Sequence, residues 1–126
     1  MSNFRKLIDS FKRRNAKLFD WYQVSFDEFQ INVSAQPPGK DSWEQSITWV
    51  SIIRVVWKGE GGLTSDGVYL FTNERSESYV VPTDAEGGDS FVEELITRGY
   101  FSSNKFTEAV LNPYGIYCWP DDEQST

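Results

Sequence analysis

The sequence predicts an α+β domain with a mainly antiparallel sheet. Three observations carry this expectation. Residues 4–18 place apolar side chains at helical spacing. Residues 21–82 hold short aromatic and β-branched runs, separated by stretches rich in Pro, Gly, Asp and Asn. After residue 90 two short helical patterns precede a final apolar run. Strands grouped ahead of helices point to α+β rather than to repeated βαβ units. The 126 residues are 39% hydrophobic, enough for a packed core, and no second core or internal repeat is visible.

At the start, Phe4, Leu7, Ile8 and Phe11 fall at i, i+3, i+4 and i+7, with Leu18 further along the same face. This predicts an amphipathic helix over residues 1–18, packed on or extending from a single domain over 19–126. From Asp20 the period becomes two: Trp21 to Phe26, a tight turn at Asp27-Glu28, then Phe29, Ile31 and Val33 alternating with Gln30, Asn32 and Ser34. A hairpin is expected, followed by a loop over Gln36–Ser42, where Pro37 and Pro38 cannot donate to a ladder.

The run SITWVSIIRVVW (Ser46–Trp57) is seven-twelfths β-branched, which favours strand over helix, with a turn near Ser51. Simple alternation puts Ile47, Trp49, Ile53, Val55 and Trp57 on one face. Arg54 joins the other face, snorkelling outward or pairing with an acid. Four glycines between Lys58 and Gly67 match neither a dinucleotide-binding nor a P-loop pattern, so a flexible loop is expected. Val68–Thr72 and Ser78–Val81 form a further pair of strands. Ser90 and Glu93 read as a capping box for a helix over Phe91–Arg98, closed by Gly99. A second short helix is expected over Asn104–Leu111, with Phe106, Val110 and Leu111 apolar, ended by Asn112-Pro113. Tyr114–Trp119 then reads as the last strand, and Pro120–Thr126 as a mobile acidic tail. The total is about five to six strands.

Totals exclude several chemistries. There is no histidine and one cysteine, Cys118, so common zinc sites, histidine triads and an internal disulfide are ruled out. The acids of Thr83–Ser90 lack the spacing of a calcium loop. Adjacent Glu93 and Glu94 point in different directions on a helix rather than forming an acid/base pair. No cofactor and no catalysis is therefore expected. No apolar run approaches the ~20 residues of a membrane span, and charges interrupt the N-terminal segment throughout, so a cytoplasmic location is the expectation.

Charge is unevenly distributed. Residues 1–17 carry six cations against Asp9, a balance of +5, whereas residues 18–126 carry six against eighteen carboxylates, a balance of −12. Such a body repels nucleic acid and attracts a basic protein. Asp84, Glu86 and Asp89 in one loop, with Asp121, Asp122 and Glu123 in the tail, are the candidate partner-binding acids. The basic helix over residues 4–18 offers a second option, a membrane surface. Oligomeric state is not readable from these features.

Three segments, VSFDEFQINV, SITWVSIIRV and VYLF…SYVVP, together spanning roughly residues 22–82, resemble small bacterial domains of the pleckstrin-homology-like superfold. The resemblance implies a partly open barrel that recognises proteins or lipid headgroups. The C-terminal end departs from that pattern, having two helices and a strand in place of one capping helix. Residues 20–57 offer only Lys40 and Arg54 against five acids, which disfavours a phosphoinositide pocket. In general character the small acidic chain also resembles bacterial toxin-immunity proteins.

Overall fold

A computed structural model describes residues 16–61 and 64–121. Among these, the order is helix α1 (Ala16–Trp21), strands β1 (Tyr22–Phe26), β2 (Gln30–Ala35) and β3 (Trp43–Thr48), a 3-10 turn (Trp49–Ser51), and strands β4 (Ile52–Lys58), β5 (Gly67–Thr72) and β6 (Tyr79–Pro82). Helices α2 (Gly88–Thr97) and α3 (Ser103–Leu111) and strand β7 (Ile116–Trp119) complete it. The fold is α+β, as the element pattern predicts. The strands form two antiparallel sheets, β1-β2-β3 and β6-β5-β4-β7, rather than one closed barrel.

The expected strand count falls short because the run Ser46–Trp57 serves both sheets. Its first part ends β3, three residues turn, and its second part is β4. Ser51 fixes the turn through its hydroxyl, which donates to the Thr48 carbonyl at 2.7 Å. A register shift between Ile52 and Arg54 then breaks simple alternation. Ile52 is therefore buried and Ile53 exposed, the reverse of the expected faces.

Each bracketing tryptophan anchors one C-terminal helix. The fully buried Trp49 stacks on Phe91 of α2 and on Tyr100, with ring centroids 6.4 and 5.7 Å apart. Trp57 stacks on Phe101 at 6.0 Å and meets Phe106 of α3 edge-on at 5.6 Å. The indole N–H of Trp57 reaches the Asp66 carboxylate at 3.2 Å, and Asp66 also takes the Glu60 N–H at 2.9 Å, so this carboxylate links the two ends of the glycine-containing loop. Tyr22 joins the sheets, its hydroxyl donating to the Val80 carbonyl at 2.9 Å.

Helix boundaries depart from the sequence expectation in two places. The segment 4–18 lies outside the described residues except for its last residues, and α1 continues through Trp21. The capping box is not formed: α2 starts at Gly88 behind an N-cap at Gly87, and no side chain caps it. Backbone pairing of Glu86 with β1 decides this. Val24 N–H donates to the Glu86 carbonyl, and Glu86 N–H to the Tyr22 carbonyl, each at 2.8 Å. The chain must turn immediately afterwards, at φ 84°, where a side chain would collide with the Val24 carbonyl, so glycine occupies the cap. Gly99 closes α2 as expected, with Tyr100 N–H on Leu95 and Gly99 N–H on Ile96. In α3, Ala109 is buried and Phe106 packs inward, whereas Val110 and Leu111 are exposed. Docking through Phe106 and Ala109, one turn apart, rotates the other two outward.

Candidate interaction surface

The described members of the sequence-nominated acids occupy different local settings. Asp84 is half-buried in the turn before α2, its main-chain N–H donating to the Ser65 hydroxyl oxygen at 3.1 Å. Glu86 is exposed but its main chain is committed to β1. Asp89 is exposed in the first turn of α2, where the helix dipole favours a carboxylate. Asp121 lies elsewhere, paired with Lys105 of α3 at 2.8 Å. That hydrogen bond raises the pKa of the Lys105 ammonium. Asp122 and Glu123 lie outside the described residues.

A different surface stands out at the turn between β1 and β2. Alternation places Phe29 inward, yet β2 begins only at Gln30, and Phe29 is 75% exposed on the turn. Its carbonyl accepts the Trp49 N–H at 3.0 Å, which sets it beside the 3-10 turn carrying Val50, 86% exposed. Ile53, 57% exposed, follows three residues later. Phe29 and Val50, two large exposed groups at one junction, are more informative than isolated exposed leucines.

The backbone beneath them is fixed. The Asp27 carboxylate accepts the N–H groups of Phe29 (2.8 Å) and Gln30 (2.9 Å). These bonds, Phe29 first and Gln30 second, hold its carboxyl below the usual carboxylate pKa range, with the Arg98 charge adding to them. Asp27 N–H closes the turn on the Gln30 carbonyl at 2.9 Å. From the other side, Arg98 at the end of α2 donates to the carbonyls of Asp27 (3.2 Å) and Glu28 (3.3 Å). The same guanidinium pairs with Glu94 at 2.7 Å and lies 4.2 Å over the Trp49 ring, whose indole N–H donates to the Asp27 carbonyl at 2.9 Å. Arg98 and Trp49 together therefore lock the turn to α2 and to the core.

Both tip residues left a trace in the sequence. Phe29 directly follows the turn pair Asp27-Glu28, and Val50 precedes the expected turn at Ser51. Phe29 lies one residue before β2 and Val50 two residues past β3, so strand alternation reaches neither.

Among the described residues, no cluster of His, Cys, Asp and Glu could hold a metal ion, and no helix is long and apolar enough to cross a membrane. No family model, curated protein or solved structure matches the chain.

Proposed function

We propose that this chain is a non-enzymatic protein-interaction module that captures a basic partner at the Phe29–Val50 tip. Neutralisation of a toxin, as an immunity protein does, is the form of this activity that its small acidic body favours. The carrying observation is that Phe29 is 75% exposed on a backbone held by Asp27, Arg98 and Trp49. A rigid anchor loses little conformational entropy on docking, and burial of a phenylalanine or valine contributes roughly 1.5–3 kcal/mol. Exposed Asp27 and Glu28 flank the anchor, and the −12 body steers a cationic partner inward.

The test is capture from the source lysate at low and high salt, using wild type, Phe29→Asp with Val50→Asp, and Leu111→Ser as an exposed apolar control. Wild type and the control should retain one stoichiometric protein, with less retained at high salt, and the tip variant should lose it. A partner held equally by the tip variant, or no stoichiometric partner in any condition, refutes the reading. The alternative is a peripheral membrane protein standing on residues 4–18, supported by that segment's +5 balance and apolar periodicity. Sedimentation with anionic vesicles separates the two, because only the alternative predicts a pellet that disappears when residues 1–15 are removed.

A further inference from the structure

Of the ten large hydrophobic side chains exposed among the described residues, four fall within seven positions: Val110, Leu111, Tyr114 and Ile116. Leu111 is 79% and Tyr114 72% exposed. Local geometry gathers them. Gly115 N–H donates to the Asn112 carbonyl at 3.2 Å, closing a four-residue turn. Leu111 and Ile116 flank that turn, Tyr114 sits within it, and Val110 precedes Leu111 in the last turn of α3.

The turn is held from both sides. The Tyr117 hydroxyl shares its proton between the carbonyls of Glu108 (3.2 Å) and Asn112 (3.1 Å). Across from it, Gly59 N–H reaches the Gly115 carbonyl and Gly61 N–H the Pro113 carbonyl, each at 2.9 Å. A side chain at Gly59 would strike the Pro113 carbonyl, and one at Gly61 the Tyr114 ring, so the two segments lie in close contact. The exposed side chains therefore stand on fixed backbone, and little conformational entropy is lost when they dock.

We infer that the Val110–Ile116 patch is the contact through which two copies of this chain form a weak, two-fold symmetric dimer. Charge selects that occupant. No Asp, Glu, Lys or Arg occurs from Ala109 to Pro120. Lys58, opposite Ile116 on β4, pairs with Glu60 at 3.8 Å, and Lys105 on α3 pairs with Asp121 at 2.8 Å. The patch thus offers little to a strongly basic or acidic partner. A second copy carries the same net −7 and is repelled wherever carboxylates meet, whereas an uncharged patch facing itself keeps them apart. Depletion of charge around an apolar, aromatic centre is also the composition of homodimer contacts. Size sets the strength. Four such side chains with a narrow polar rim belong at the low end of specific interfaces, below about 1,200 Å² in total.

The patch is separate from the Phe29–Val50 tip. Val50 precedes β4, whereas Ile116 pairs with Lys58 at the other end of that strand, roughly 20 Å away at ~3.3 Å per residue. The two contacts also answer salt in opposite directions. Screening weakens capture of a basic partner but relieves repulsion between two acidic copies.

Sedimentation equilibrium of the full chain, from micromolar to millimolar, tests the dimer. The average mass should approach twice that of the monomer, and at lower protein concentration in high salt than in low. Leu111→Asp with Tyr114→Asp should stay monomeric with unchanged near-ultraviolet circular dichroism, while Phe29→Asp with Val50→Asp should associate as wild type does. A wild type that is monomeric throughout, association that weakens with salt, a monomeric tip variant, or undiminished association of the Leu111→Asp/Tyr114→Asp variant overturns the inference. Wild-type amide resonances give a readout that needs no variant to fold. Those of Val110–Asn112 and Tyr114–Ile116 should shift with concentration, and those of Phe29 and Val50 should not. Shifts confined to other residues overturn the dimer contact. A chain that stays monomeric but loses a captured lysate protein on Leu111→Asp assigns the patch to another protein, and overturns it equally.

Discussion

At the scale of single residues, Arg98 connects more of the molecule than any carboxylate nominated from charge. It bonds two carbonyls of the β1–β2 turn, pairs with Glu94 and covers Trp49. Arg98→Ala should cost about 1–2 kcal/mol, given the modest net value of partly solvated charged hydrogen bonds and cation–π contacts. Arg98→Lys should recover little of it, because an ammonium cannot reproduce the planar fork. Urea unfolding checks both. Asp27 gives an acid-side signal. Its depressed folded pKa means that the stability it contributes is lost as pH falls through that value. The amide resonances of Phe29 and Gln30 should therefore titrate together, with a midpoint below the ordinary aspartate range. Tyr22 gives the alkaline counterpart. Burial pushes its phenol from 10.0 up to about 12, so its contribution is complete below pH 10 and is lost as pH rises from 10 towards 12. Tyr22→Phe should remove a component near pH 12 from the tyrosinate absorbance titration.

At the scale of elements, the helix caps show where local sequence signals give way. Ser102 caps α3 as a serine should, accepting the N–H groups of Asn104 and Lys105, and Ser102→Ala should cost about 1 kcal/mol. Ser90, with equally suitable chemistry and a glutamate three residues later, caps nothing. Its helix had already begun at the point where Glu86 pairs with β1. Ser90→Ala should therefore stay within about 0.5 kcal/mol, whereas Gly87→Ala should cost about 1–3 kcal/mol through its left-handed backbone and the crowding at Val24. Thermal unfolding of the three variants distinguishes a cap chosen by side-chain chemistry from one imposed by packing. The hairpin β1–β2, the breaks at Pro37-Pro38 and at Pro82, and the Gly99 cap were all legible from local residues. Phe29 and Ile53 were not: Phe29 falls on the turn before β2, and the register shift between Ile52 and Arg54 turns Ile53 outward while Val55 and Trp57 keep the buried face.

At the scale of the whole molecule, the sheet division dominates. The most apolar run of the chain bridges two sheets, and Trp49 and Trp57 carry α2 and α3 on their rings. Removing either ring should act on the fold globally; Trp49→Ala should destabilise by about 3–5 kcal/mol in a single cooperative transition, which denaturant unfolding followed by circular dichroism would show. Of the nominated acids, Asp89 lies in the first turn of α2, whereas Asp121 pairs with Lys105 on α3. By itself the sequence determined the α+β class, most strand and helix positions, the division of charge and the absence of histidine chemistry, because these follow from residue type and short-range spacing. Tertiary structure alone decided that there are two sheets, which residues reach solvent at their junction, and which helix start prevails. Those outcomes depend on pairing between residues far apart in the chain, where hydrogen bonds and burial outweigh any local preference.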